Sequence, residues 1–424
     1  MGDRRTRRRV LGLALVTAAS VAALSTVAGC GKSAAKTPTA LRLSIDKTQG
    51  LAYEPVHITV LGGAPGSTVT VRATAVDDRG VHWSSQADFR ADAAGTVDLA
   101  AQAPVRGSYG GVDAMGLFWS MDPPAGDPSE KFPTTGFSVD VTATDQGATT
   151  TQSVKRVFQA PGETVQELTV AHDGFEGHLF LPPGLVKPTP ALIMIGGSEG
   201  GESTYGAAML MAAKGIPALS VGYFAVTGTP QNLQSIPLEY FVKAATWLEQ
   251  QPLIDKRHVL LFGVSRGSEA ALLTAQYYPD LVHGAVLIAP SAEVWGGLPD
   301  SDVAWTRAGD PVAPPGADIP VDKVDGPVQA FAGTDDKLWT APAWARQIDD
   351  ELNRAGVAHP HAAHVYQDAG HMVGAIPYLP LLTTYTLSGR TFQLGGTRQA
   401  NAAAQAQTWK AVFDLMAGLS GQSG

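Results

Sequence analysis

At 424 residues, 44% hydrophobic and 16% charged, the chain has enough apolar material for more than one core, which excludes a disordered segment, a collagen and a coiled coil. A formal net charge of −9 argues against a nucleic-acid binder, which needs clustered Lys and Arg to neutralise phosphates. One cysteine rules out an intrachain disulfide and a structural zinc site built on thiolates.

The first residues, Met1 to Arg9, hold five arginines, and an uncharged run follows from Val10 to Gly29. A basic start, an apolar stretch and small residues before Cys30 are the anatomy of an export signal over 1–30 rather than of a domain. Arg7 and Arg8 fit the two-arginine pattern of a folded-protein export route. Val27-Ala28-Gly29-Cys30 resembles a bacterial lipobox, in which the cysteine is lipid-modified and becomes the first residue of the mature chain. The sequence therefore predicts a membrane-tethered protein, lipidated at Cys30 and facing outside the cytoplasm, with 31–40 as a flexible tether. An uncleaved membrane anchor and a freely secreted protein are the competing readings.

From 41 to 160 the pattern is of short alternating strands broken by Gly, Pro and Asp. Val56 to Val60, Val69 to Val76, Val97 to Leu99 and Phe137 to Thr144 carry the alternation, with turns at Gly62-Gly63 and Asp77-Asp78-Arg79-Gly80. This predicts an all-β, immunoglobulin-like sandwich. From 161 to 424, apolar strand-length runs alternate with Ala-rich helical ones. Ala191 to Ile195, a helix near Tyr205 to Lys214, Ile216 to Val221, a helix over Leu238 to Gln250 and Val259 to Phe262 predict a parallel sheet with helices on both faces.

Gly263-Val264-Ser265-Arg266-Gly267 fits G-x-S-x-G between the strand ending at Phe262 and a helical run from Ser268 to Tyr277. In that setting the glycines permit a tight strand-to-helix turn that exposes Ser265 as a nucleophile. A serine hydroxyl needs a base, and the base an orienting acid. Pro327 to Ala332 runs into Gly333-Thr334-Asp335-Asp336, and Val365-Tyr366 into Gln367-Asp368-Ala369-Gly370-His371, so both candidates lie past strand ends. Asp336 has the preferred spacing for the acid, with Asp335 as its competitor, and His371 is the candidate base. The backbone N–H of Arg266 is one expected oxyanion donor, and the glycine-rich loop Ile195 to Gly201 supplies the second, at Gly197 or Ser198. His359, His361 and His364 fall in a predicted helix-to-strand loop without a matched carboxylate pattern, so neither a metal nor a cofactor is called for.

These motifs resemble the acyl-CoA thioesterases and bile acid-CoA:amino acid N-acyltransferases. The resemblance rests on Glu54 to Ile58, Phe89 to Ala91, Gly95 to Leu99, Ala114 to Met121, Gly177 to Gly184, Leu238 to Phe241, the serine turn with Glu269, Gly333 to Asp336, Gly370-His371, Pro377-Tyr378, Gly395-Gly396 and Gln405 to Trp409. It implies an α/β-hydrolase fold behind the sandwich, a triad at Ser265, Asp336 and His371, and a supporting role for Glu269, whose alternative is a solvated helix residue. Members that transfer the acyl group to an amino acid have cysteine at the nucleophile, so serine implies transfer to water. The expectation is a serine hydrolase acting on acyl-CoA or another acyl (thio)ester. The alternatives are a carboxylesterase on lipid or cell-wall acyl groups, an acyl-CoA:amino acid N-acyltransferase, and a lipoprotein that binds an acyl ligand without turning it over. Because acyl-CoA is scarce outside cells, export leaves the leaving group open.

Overall fold

The computed structural model describes residues 40–124, 132–387 and 389–422. The export signal, Cys30 and the tether read from the sequence lie outside them, save for Ala40. Among the described residues, no helix is long and apolar enough to cross a membrane.

The first part of the chain forms two sheets around one core. Arg42–Ile45, Ile58–Leu61 and Val97–Asp98 make a three-stranded sheet. The second sheet has six strands, in the order Gln49–Leu51, Ala148–Val157, Phe137–Asp145, Thr68–Val76, His82–Arg90 and Arg106–Gly107. The hairpin Thr68–Val76 to His82–Arg90 closes where Asp77 Oδ1 accepts the N–H groups of Arg79 and Val81, both at 2.9 Å. His82–Arg90 and Ala148–Val157 are strands that the pattern did not reveal. In the former, polar Ser84 and Gln86 sit between inward-facing Trp83, Ser85 and Ala87, so hydrophobicity alternates only weakly. Leu117, Phe118 and Trp119 occupy a single buried helical turn and belong to the core.

The rest is an α/β-hydrolase fold. Its sheet has eight strands: β1 Thr164–Leu168, β2 Glu176–Leu181, β3 Thr189–Ile195, β4 Ala218–Gly222, β5 Ile254–Val264, β6 Ala285–Ile288, β7 Val328–Gly333 and β8 His361–Tyr366. Their spatial order is β1-β2-β4-β3-β5-β6-β7-β8. The first two pairings are antiparallel and everything from β4 to β8 is parallel. Among the described residues, five helices longer than two turns accompany it: α1 Tyr205–Ala213, α2 Glu239–Glu249, α3 Arg266–Tyr277, α4 Ala341–Ala355 and α5 Arg398–Gln422.

The parallel strands read as continuous apolar runs because both faces are covered. Alternate residues go to different cores. Leu192, Met194, Leu260, Phe262, Val286 and Ile288 pack with α1, α5 and the sandwich. Ile193, Ile195, Leu261, Leu287, Ala330 and Ala332 pack with α2, α3 and α4. His361 and His364, expected in a loop, lie on β8, where alanines between them hide the strand pattern.

Candidate active site

Ser265 stands between β5 and α3 with φ 54° and ψ −120°, a backbone conformation that costs an L-residue about 1–3 kcal/mol. The turn holds it because Gly263 and Gly267, two positions before and after the serine, have no side chain. A Cβ on Gly263 would lie 2.2 Å from the Gly267 carbonyl oxygen, and one on Gly267 would lie 2.3 Å from that of Gly196. The Ser265 N–H donates to Ile288 O at 2.8 Å, tying the turn to the end of β6. Arg266 opens α3, so its N–H has no acceptor among the described residues and points with the positive end of the helix dipole.

Asp336 and His371 follow β7 and β8. His371 Nδ1 pairs with Asp336 Oδ2 at 2.8 Å, and both side chains are buried, Asp336 fully. The other Asp336 oxygen accepts the N–H groups of Leu338 and Trp339, at 2.9 and 3.3 Å. Asp335, the competing acid, faces outward, pairs with Lys337 and accepts the Gly396 N–H at 2.9 Å. With Nδ1 committed to a carboxylate, Nε2 is the nitrogen left for proton transfer. No hydrogen bond joins Ser265 Oγ to His371 among the described residues; such bonds are often long before substrate binds. A tryptophan missed in the sequence fixes the histidine. Trp339 Nε1 donates to Ala289 O at 3.1 Å, and its ring centroid is 5.9 Å from that of His371.

The glycine-rich loop follows β3 and packs on the serine, since a Cβ on Gly197 would come within 2.9 Å of Ser265 Cβ. Its conformation is set by Tyr223, absent from the sequence argument, and by Glu199 within the loop itself. Tyr223, after β4, donates from its hydroxyl to Gly196 O at 2.9 Å and Gly197 O at 3.2 Å, and burial pushes the phenol's pKa far above its ordinary value. Glu199 folds back, so that its Oε1 accepts the Gly197 N–H at 2.9 Å and the Ser203 hydroxyl. The Gly197 donor is therefore occupied in the free protein, while the Ser198 N–H has no acceptor among the described residues.

Glu269 is not a solvated helix residue. It is fully buried and its Oε2 accepts from Arg266 Nε at 2.7 Å. Its other oxygen accepts the Trp295 N–H at 2.7 Å, and the Arg266 guanidinium also donates to Gly296 O and Trp295 O. Burial raises the Glu269 pKa, an effect the neighbouring guanidinium opposes.

The three histidines weighed as a metal cluster each have a separate partner. His359 meets Asp325 and His361 meets Asp349, while His364 meets Gln329. No group of three metal-ligating side chains occurs among the described residues.

Family models match both parts of the chain. Residues 53–170 match the acyl-CoA thioester hydrolase/BAAT N-terminal region, and residues 236–297 and 310–417 match the BAAT/acyl-CoA thioester hydrolase C-terminal region. Acyl-coenzyme A thioesterase 6 of Mus musculus is 29% identical over 85% of this chain and 92% of its own length. Acyl-coenzyme A thioesterase 3 of Mus musculus is 30% identical over 85% of this chain and 90% of its own. Among solved structures, a putative dienelactone hydrolase from Klebsiella pneumoniae aligns at 16% identity and a TM-score of 0.44, over 60% of this chain and 98% of that one. With both halves matched in order, the chain belongs to the acyl-CoA thioester hydrolase/BAAT family and is an enzyme of the hydrolase type.

Proposed function

We propose that the protein hydrolyses acyl thioesters and esters through an acyl-enzyme on Ser265, with His371 as base and Asp336 as its orienting acid. The observation that carries this reading is the buried Asp336–His371 Nδ1 hydrogen bond, past the strand ends beside a strained, turn-held serine. Ser265 Oγ attacks the acyl carbonyl carbon as its proton passes to His371 Nε2. The carbonyl oxygen becomes an oxyanion facing the Arg266 N–H and the loop at Gly197 and Ser198. Collapse breaks the bond to the leaving thiol or alcohol, which takes the proton from His371. Water then adds to the acyl carbon, losing a proton to the same nitrogen, and the carboxylic acid departs as Ser265 regains its proton.

The relatives' names point to CoA thioesters as the substrates. The export signal and lipidation at Cys30 belong to this proposal as well, and they place the enzyme on the outer side of a membrane, where other acyl esters compete for the role. A fluorophosphonate probe combined with a substrate screen tests the reading. Labelling at Ser265, and turnover of acyl-CoAs or p-nitrophenyl esters that is lost in Ser265→Ala, are the expected results. Absence of labelling in a folded protein would defeat it. Glycine or taurine added to the assay separates hydrolysis from transfer: free acid should dominate, and a majority of conjugate would favour the acyltransferase alternative.

A further inference from the structure

Three large side chains on the loops that follow β6 and β7 are exposed where most of their kind are buried: Trp295 at 42%, Leu298 at 43% and Leu338 at 42%. They come from two loops, one after β6 and one after β7, which carry Ala289 and Asp336 of the site. Trp295 does not stand alone. Its ring centroid lies 6.2 Å from Trp339 and 5.8 Å from Trp344, and these two meet edge to face at 5.5 Å. Trp339 in turn contacts His371, so an apolar surface runs from the histidine outward.

That exposed indole is held firmly. The Trp295 N–H and O are taken by Glu269 and Arg266, and its Nε1 donates to Ser291 Oγ at 3.2 Å. A buried ion pair on the residue next to the nucleophile thus fixes the Trp295 backbone, and Ser291 orients the indole, which half faces water. Desolvating that pair is unfavourable in itself, so the fixation needs an explanation other than stability. A rigid aromatic face loses little conformational entropy when a ligand lies on it.

We propose that Trp295, with Leu338 and the Trp339 ring between it and His371, binds the hydrocarbon chain of the acyl group and sets chain-length preference. The inference rests on the hydrolase reading. Once the carbonyl carbon is at Ser265, the chain that begins there must leave along a wall of the site, and the linked rings of Trp339 and Trp295 offer it an apolar surface next to the histidine. The thiol or alcohol portion departs elsewhere.

The test compares p-nitrophenyl decanoate with p-nitrophenyl acetate on the full chain. In Trp295→Ala the ratio of kcat/KM for decanoate over acetate should fall about tenfold, from lost apolar contact along the chain. Leu338→Ala should move it the same way by about threefold, and Trp295→Phe, which keeps an aromatic face, should restore most of the ratio. An unchanged ratio in both alanine variants, with acetate hydrolysis still dependent on Ser265, overturns this inference and leaves the hydrolase reading standing. Acetate turnover that survives Ser265→Ala defeats the hydrolase reading itself.

Discussion

The two faces of the catalytic sheet are covered in different ways. One is covered by α2, α3 and α4, all from the catalytic part of the chain. The other shares its core with the β-sandwich, so that Leu192 and Met194 belong to the same cluster as Trp83, Val71 and Val141. Polar contacts reinforce this joint. Arg398 at the start of α5 donates to Trp119 O and Met121 O, pairs with Asp122 at 2.7 Å and also donates to Leu381 O, while Tyr53 packs on Trp409 and Phe413. The sandwich thus contributes to the core of the catalytic region, and no candidate catalytic residue lies in it.

The comparison can be broken most sharply by chemistry. Ser265→Ala should lower kcat by about 10³-fold or more, measured on any ester the enzyme turns over, while leaving the melting temperature within a few degrees. A matched pair sharpens the choice of acid. Asp336→Asn should lower kcat by about 10²- to 10⁴-fold, since the histidine loses its orienting carboxylate, whereas Asp335→Asn should change it by less than about threefold. Equal losses in the two would place the acid wrongly.

Shared packing predicts a different signature for the sandwich. Trp83→Ala should destabilise by about 3–5 kcal/mol, and calorimetry should show one transition moving down as a whole, with activity lost along it. Two separated transitions would mean that the sandwich folds apart from the sheet. A smaller effect belongs to the segment joining the regions. Burial pushes the Glu163 carboxyl up to about 7, where its Oε2 accepts the Ala160 N–H. A raised pKa means that the folded state holds the proton more tightly. The contribution is therefore fully present below about pH 4.5 and is lost as pH rises through about 7. Glu163→Gln should flatten that loss and gain about 1 kcal/mol in denaturant at pH 8, with little change at pH 4. The mildest test concerns the oxyanion loop: Glu199→Gln removes a negative charge beside the expected oxyanion and should tighten binding of a boronic acid by about threefold, read as a competitive inhibition constant.

Much of the site was legible because its chemistry imposes local demands. The strained turn at Ser265 requires glycine where a Cβ would collide, and strand ends announce where Asp336 and His371 emerge. The choice between Asp335 and Asp336 was not local. Neighbouring side chains point apart, and only their distant partners, His371 for Asp336 and the returning Gly396 for Asp335, show which one is turned inward. Glu269 carried a helix-position ambiguity of the same kind, resolved by a loop that arrives 26 residues later. Tyr223, Trp295 and Trp339 act through contacts with segments distant in sequence, and nothing in their own neighbourhoods marked them; Glu199 lay inside the glycine-rich loop, but its fold back onto the Gly197 N–H was not readable from the loop's composition. The strand His82–Arg90 was hidden for a simpler reason: Ser85 faces inward and breaks the expected hydrophobic alternation.

The Gly197 N–H gives the resting protein an unusual starting point, because it already serves the Glu199 carboxylate. A substrate oxygen that recruits this donor exchanges one anionic acceptor for another, so the number of hydrogen bonds in the loop is conserved through the step. Selection at that position then acts on the difference between two negative charges rather than on the strength of a single new bond. A ground-state carbonyl, only weakly polar, would lose that contest, and a full tetrahedral oxyanion would compete on equal terms. The Gly197 donor would thereby ignore bound ester until the reaction has begun.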